Sequence, residues 1–464
     1  MKDLYSQNSA KTNLKKILSH KLKNIPPLFA FIILTCVLAS ACGIEDVENF
    51  ADEVGKGAQI VREEVKDIVD DVTDTSSSDK ADSYDSDSDG QSIIESASSD
   101  KYPTKEMKDD LDEIGLSDDT ISVIRDNQES YYYYSKLGDD EQNLYAQIYY
   151  ILYSHGEYIY ITSTDMDEVE KVQQCVLNDH PEIFYVDGYT MKRYMDPESD
   201  DIKALTYGGK YTLTQNEITQ RQIDLDKAAD SIIANAPDTT DEYAKVKYFY
   251  DYIVLNTEYV VGSEDNQNIC SVLLNKSSVC QGYAKTLQYL LQKVGITCEM
   301  VSGTVNNDGT ISSHAWNLVK VNGNWYYVDP TWGDSSFTGS VPGNTEVVNY
   351  AYLCVTTADL NVTHTSKEVV SLPECISTTD NYFVRENALF SGLEYDKLSS
   401  LFDEAIAKGQ SYVTFKCTSK DVYNEMKAYL FSDDGGKVFE YLPSDATSAA
   451  YMSQDTTLTF IIWL

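Results

Sequence analysis

The stretch SSVCQGYAKTLQYLLQKVGITCEMVSGTVNNDGTISSHAWNLVKVNGNWYYVDPTWGD, running from Ser277 to Asp334, places a cysteine at the start of a helical pattern, a histidine at the start of a strand and an aspartate at the end of the next strand. A thiol nucleophile with an oriented base needs these three residue types. Tyr283, Leu287, Leu290, Leu291 and Val294 recur at helical spacing up to Gly295, with Ser277 and Ser278 as candidate caps. Cys280 then falls in the first turn. There, backbone N–H groups and the positive end of the helix dipole favour thiolate over thiol and can receive an oxyanion. A buried structural cysteine fits that position equally well.

His314 tips the balance. It opens a strand of alternating pattern, with His314, Trp316 and Leu318 on one face and Ala315, Asn317 and Val319 on the other. A second strand, Trp325 to Asp329, follows across Asn322-Gly323, a two-residue hairpin signal. With those two as the turn, position 316 opposes 329, and Asp329 lies on the diagonal from His314 on the same face. A carboxylate there holds one imidazole nitrogen and leaves the other to exchange a proton with the thiol.

The motifs VCQGYA (279–284), HAWN (314–317) and WYYVDPTWGD (325–334) resemble the transglutaminase-like superfamily. The resemblance covers about residues 240–356. It implies a papain-like α+β core of N-terminal helices plus an antiparallel sheet, with Cys280 as nucleophile, His314 as general base and then acid, and Asp329 as the orienting partner. It also implies a covalent thioester resolved by an amine (cross-linking) or by water (hydrolysis). No metal or organic cofactor is needed by that chemistry. Tyr259 is a candidate for the oxyanion side, with core packing as the other reading. Trp316 and Trp332 are candidates for the walls of a substrate groove or for aromatic core. His155, His180 and His364 carry no Cys or carboxylate spacing of a metal site, and Cys298 lies in an apolar strand pattern.

Around this unit the chain has 464 residues, 42% of them hydrophobic and 11% aromatic, enough for several cores. The net charge of -39, from 75 acidic and 36 basic residues, argues against a nucleic-acid partner. The first 41 residues reverse that balance, with Lys2, Lys11, Lys15, Lys16, Lys21 and Lys23 against Asp3. An apolar run, Leu28 to Leu38, and the small residues Ala39, Ser40 and Ala41 lead to Cys42. The run is too short to span a bilayer and reads as an export signal. A small-residue run ending in cysteine resembles a bacterial lipobox, which implies lipidation at Cys42, an anchor in the bacterial cell membrane and an extracytoplasmic location. A simple cleaved signal is the other reading. Beyond Cys42 the cysteines are Cys175, Cys270, Cys280, Cys298, Cys354, Cys375 and Cys417, an odd set without framework spacing, so parity leaves at least one thiol free.

Val47, Phe50, Val54, Ala58, Val61, Val65, Ile68 and Val72 form one stripe of a stalk helix, and a Ser/Asp-rich tract to residue 100 reads as a spacer. Met107, Leu111, Ile114 and Leu116 then indicate a short helix. Two helix–strand–helix–strand runs flank the middle, one around residues 138–194 and one from Tyr395 to Trp463, the latter with a strand expected near Val438 to Tyr441. The resulting division is 1–41 signal, 42–100 tether, 101–236 N-terminal α+β module, 237–375 central domain and 376–464 C-terminal α+β module. The expected function is an exported cysteine enzyme acting on protein or peptide amides at the cell surface. The alternative is a surface binding or assembly protein that uses the same fold as a scaffold.

Overall fold

A computed structural model of the chain describes residues 93–98, 116–196, 198–199, 201–307, 309–334, 347–432 and 436–464. The expected leader, Cys42, the expected stalk helix, most of the expected spacer and the positions Met107, Leu111 and Ile114 lie outside the described residues. The described residues form two compact units: one holds those up to Leu177 and Tyr185–Gln220, the other holds Asn178–Phe184 and those from Arg221 to Leu464.

In the first unit, helices α1 (Asp118–Gln128), α2 (Asp139–Tyr153) and, up to Leu177, α3 (Met166–Asp179) accompany a four-stranded sheet of order β1-β3-β4-β2. Its strands are β1 (Ile93–Ser98), β2 (Ile159–Ile161), β3 (Val186–Met195) and β4 (Ile202–Tyr211). Helix α2 forms where the sequence puts Asp139, Asp140 and Glu141 in the first turn, favourable against the helix dipole, and Glu141 turns back to accept the Gly138 N–H at 2.9 Å. Its apolar stripe buries Leu144, Tyr145, Ile148, Ile151 and Leu152. One departure concerns the spacer: Ile93–Ser98 pairs in parallel with β3 as an edge strand. Backbone hydrogen bonding along an edge does not require the apolar content that the tract lacks.

The second unit carries α4 (Gln215–Ile233) from Arg221 onward and α5 (Glu242–Leu255), then the two-residue strands β5 (Glu258–Tyr259) and β6 (Ser277–Ser278), which pair in parallel. Helix α6 (Cys280–Lys293) leads into β7 (Cys298–Asn307), β8 (Thr310–Val321) and β9 (Asn324–Val328). With β10 (His364–Ser366) these form an antiparallel sheet of order β10-β7-β8-β9. The expected α+β core, helices followed by an antiparallel sheet, is therefore present. Asn322 and Gly323 both take positive φ, +48° and +86°, as a type I′ turn demands. Val321 faces Asn324, and the ladder runs back to Asn317 opposite Val328, the register expected from the sequence. Leu287, Leu290 and Leu291 of α6 are fully buried, as are Trp316, Leu318 and Val319 of β8. The Asn317 side chain ties the two elements together by donating to the Ala284 carbonyl at 2.9 Å.

The same unit contains a second sheet of order β11-β12-β14-β13, from β11 (Leu389–Phe390), β12 (Tyr412–Cys417), β13 (Tyr451–Gln454) and β14 (Thr459–Trp463), with helices α7 (Tyr395–Ala407) and α8 (Lys420–Phe431). The strand expected near Val438 is instead a 3₁₀ turn, Lys437–Glu440. Val438 and Tyr441 are buried three residues apart, which suits a tight helical turn, and β13 supplies the edge strand.

Candidate active site

Cys280 is the first residue of α6 and is half-buried against Ala284, Met300 and Ala315. The helix is not capped by Ser277 or Ser278, contrary to expectation. Its N-cap is Val279, whose side chain makes no cap bond, because the two serines are drawn into β6 beside β5. Ser278 Oγ is buried, 2.7 Å from Ser271 Oγ and 3.1 Å from the Asn266 carbonyl. Gly282 permits this crowding: a Cβ there would lie 2.0 Å from Ser278 Oγ. The β5–β6 pairing sets Tyr259 opposite Ser278 and brings its hydroxyl near Cys280 at the start of α6. Burial, then the neighbouring Cys280 and Asp329 charges, pushes that hydroxyl up to about 12, so it keeps its proton at neutral pH.

His314 stands on β8 opposite Gly303 of β7 and is 7% exposed. Its Nε2 lies 2.7 Å from Asp329 Oδ2, and Cys280 is close enough to the imidazole for its charge to act on it. With Nε2 engaged, Nδ1 is the nitrogen left for the sulfur. Asp329 follows β9 and caps the short helical turn Pro330–Gly333, where its Oδ1 accepts the N–H groups of Thr331 at 2.9 Å and Trp332 at 3.1 Å. The residue is fully buried. Burial alone would drive the His314 proton off, but the charge and hydrogen bond of Asp329, with the neighbouring Cys280, outweigh it and raise the imidazole to about 10. Burial opposes ionisation of Asp329 too, and it is outweighed by the His314 charge and the bonds from His314 and His364, so the carboxyl stays well below its usual range.

The remaining candidates divide. Trp332 is partly exposed, its ring 6.1 Å from that of His314 and edge-on to Tyr352 at 5.0 Å. Trp316 is fully buried and stacks beneath His314 at 6.0 Å. It therefore offers no surface for a groove wall, a correction that follows from β8 lying inside its sheet. Cys298 is buried, as its apolar context implied.

His364 changes its standing. Nothing near it in the chain marks it, yet β10 pairs with β7 and brings its Nε2 to 3.0 Å from the same Asp329 Oδ2. Only the long-range pairing reveals this. His314, Asp329 and His364 offer nitrogen and oxygen atoms all within 4.8 Å of one another, the one such group among the described residues. Both nitrogens sit at N–H···O distance from one oxygen, the spacing of a proton-filled hydrogen-bond cluster.

Residues 226–330 match the Transglutaminase-like superfamily. Among solved structures, the chain is similar to a TGase at 16% identity, covering 34% of this chain and 52% of that one, with a TM-score of 0.22. It is similar to a proposed cysteine protease from Cytophaga hutchinsonii at 17% identity, covering 34% and 64%, with a TM-score of 0.22. It is also similar to the periplasmic domain of TgpA from Pseudomonas aeruginosa at 17% identity, covering 30% and 58%, with a TM-score of 0.20. The chain thus spans less than two-thirds of each. At such identities the likeness concerns the fold alone. No curated protein matches the chain.

Proposed function

We propose, on the premise of a transglutaminase-like region at residues 226–330, that the chain is a cysteine acyl-transfer enzyme acting on side-chain or peptide amides. The observation that carries this reading is the placement of His314, with Asp329 Oδ2 on Nε2 at 2.7 Å and Cys280, the first residue of α6, beside the same ring. In this reading the Cys280 thiolate attacks the amide carbonyl carbon. The resulting oxyanion develops beside the first turn of α6 and the Tyr259 hydroxyl. Collapse breaks the C–N bond, and the amine departs with the His314 Nδ1 proton, leaving a thioester. Neutral His314 then takes a proton from an incoming amine or water, which displaces the thiolate as an amide or an acid. Asp329 stays ionised throughout and holds the ring.

The test is incubation with a glutamine-rich protein and a labelled primary amine. Label incorporation means transfer, and ammonia or new termini without label means hydrolysis; both vanish in Cys280→Ala. No product of either kind, with Cys280 alkylated no faster than an ordinary thiol, sinks the reading in favour of a binding or assembly protein. The basic leader, its apolar run and Cys42 support export and lipid anchoring to the membrane, with a protein or peptide substrate at the cell surface. Incorporation of a labelled fatty acid that disappears in Cys42→Ser is the corresponding measurement.

A further inference from the structure

We infer that His364 is a positioning residue for this site: its Nε2–H shares Asp329 Oδ2 with His314 and thereby sets how strongly the carboxylate holds the His314 imidazolium. The inference rests on the reading of Cys280 and His314 as a thiolate–imidazolium pair.

His364 opens β10 opposite Val305 of β7. The strand comes close because Gly303 has no side chain; a Cβ there would meet the Thr365 carbonyl at 2.1 Å. The His364 side chain has no exposed surface, and its ring lies 4.9 Å from the rings of both Trp316 and Trp332. A buried imidazole has two nitrogens to satisfy. Nδ1 lies 2.8 Å from Thr363 Oγ1 and Nε2 lies 3.0 Å from Asp329 Oδ2. An ionised carboxylate only accepts, so Nε2 carries the proton, and in the neutral ring the Thr363 hydroxyl donates to Nδ1.

The acceptor positions of Asp329 are then full. Oδ1 takes the Thr331 and Trp332 N–H groups, and Oδ2 takes two imidazoles. The carboxylate is held against rotation. Two donors on one oxygen also divide its electron density, so each bond is weaker than it would be alone. His364 thus moderates the grip of Asp329 on His314 and keeps the imidazolium proton transferable. The other titratable groups that act on these residues are Cys280 from α6, Tyr259 from β5, Tyr250 from α5 and Tyr352 from the turn 350–352. Burial pushes the three tyrosine hydroxyls up, so they stay neutral.

The experiment is the pH profile of iodoacetamide alkylation of Cys280 in the full chain, which needs no substrate. The other described cysteines are buried. The upper limb reports loss of the His314 proton. In His364→Phe it moves up by about one pH unit, a tenfold change in proton affinity for one donor withdrawn from a charged acceptor. Turnover of an amide substrate falls in kcat more than KM changes. His364→Gln, whose amide N–H reaches the same oxygen, returns the limb towards wild type. If His364→Phe does not fold, Thr363→Val decides, since it withdraws the hydroxyl from Nδ1 and shifts the limb in the same direction. A limb that stays in place in either folded variant, or a shift that His364→Gln reproduces rather than reverses, overturns the role of His364. A wild-type chain without two limbs, its Cys280 reacting as an ordinary thiol, overturns the catalytic reading as well.

Discussion

At the scale of single residues, Asp329 joins the backbone, the His314 imidazole and the His364 imidazole, and its replacement tests the site most directly. Asp329→Asn keeps the volume but presents an amide that can donate to Nε2 and favour the wrong tautomer. Amide turnover is expected to fall by about 10²- to 10⁴-fold while the protein stays folded, measured as kcat at neutral pH. A pH-dependent stability follows from the same pair. The His314 imidazole is raised from its ordinary 6.5 to about 10, so its contribution is complete below pH 6.5 and is lost as the pH rises through 10. The Asp329 carboxyl is depressed from 3.8, so its contribution is present above that value and is lost as the pH falls through its folded value. The gap in Tm between wild type and His314→Asn should therefore be widest between about pH 4 and 6.5 and should narrow towards pH 10. A gap independent of pH contradicts the assignment. Cys280, His314 and Asp329 were legible in the sequence because helix start, strand phase and hairpin turn are local signals. His364 was not, because its partner lies 35 residues back and only strand pairing brings them together.

Among elements, α6 and β8 were readable from their apolar periods, and the Asn322-Gly323 turn fixed their relation to β9. What the pattern could not show was competition for Ser277 and Ser278. Serine before a helix reads as a cap, but here the two residues form β6 and the N-cap falls to Val279, whose side chain makes no cap bond. The close passage of this strand against the helix depends on Gly282. In Gly282→Ala the added methyl meets Ser278 Oγ at 2.0 Å, Ser271 Oγ at 2.5 Å and the Asn266 carbonyl at 2.9 Å. Denaturant unfolding should show a loss of roughly 1–3 kcal/mol, and alkylation of Cys280 should slow as the first turn shifts. Unchanged stability would mean the strand yields freely. The 3₁₀ turn at Lys437–Glu440 was missed for a related reason: two apolar residues at short range fit a strand or a tight turn alike.

For the whole molecule, Asp380 shows how the second unit is held together. Buried at 1% exposure, it accepts from Asn322 in the hairpin turn at 3.0 Å, Tyr326 of β9 at 3.2 Å and Arg385 at 3.2 Å. Asp380→Ala removes one acceptor from each of these donors, which keep Asp241 or Ser377 as a second partner, and should cost about 1–3 kcal/mol. Because residues 221–464 form one compact unit with 178–184, the loss should appear as a downward shift of a single calorimetric transition carrying both sheets. Two separate transitions, only one of them shifted, would contradict this. Composition and turn signals were enough to propose modules, but they carry no record of which segments share a core. Asn178–Phe184 belongs to the second unit although the chain on both sides of it belongs to the first. Its Asn178 and Asp179 carbonyls accept bonds from Gln288 and Gln292 of α6 at 2.6 and 3.3 Å. The polypeptide therefore crosses between units at 177/178, 184/185 and 220/221. A protease nick at the last crossing leaves a short strip of the first fragment still seated in the second, so the pieces co-purify. In the gene the unit bearing Cys280 is discontinuous, and recombination cannot transfer it intact as one cassette beginning at Arg221.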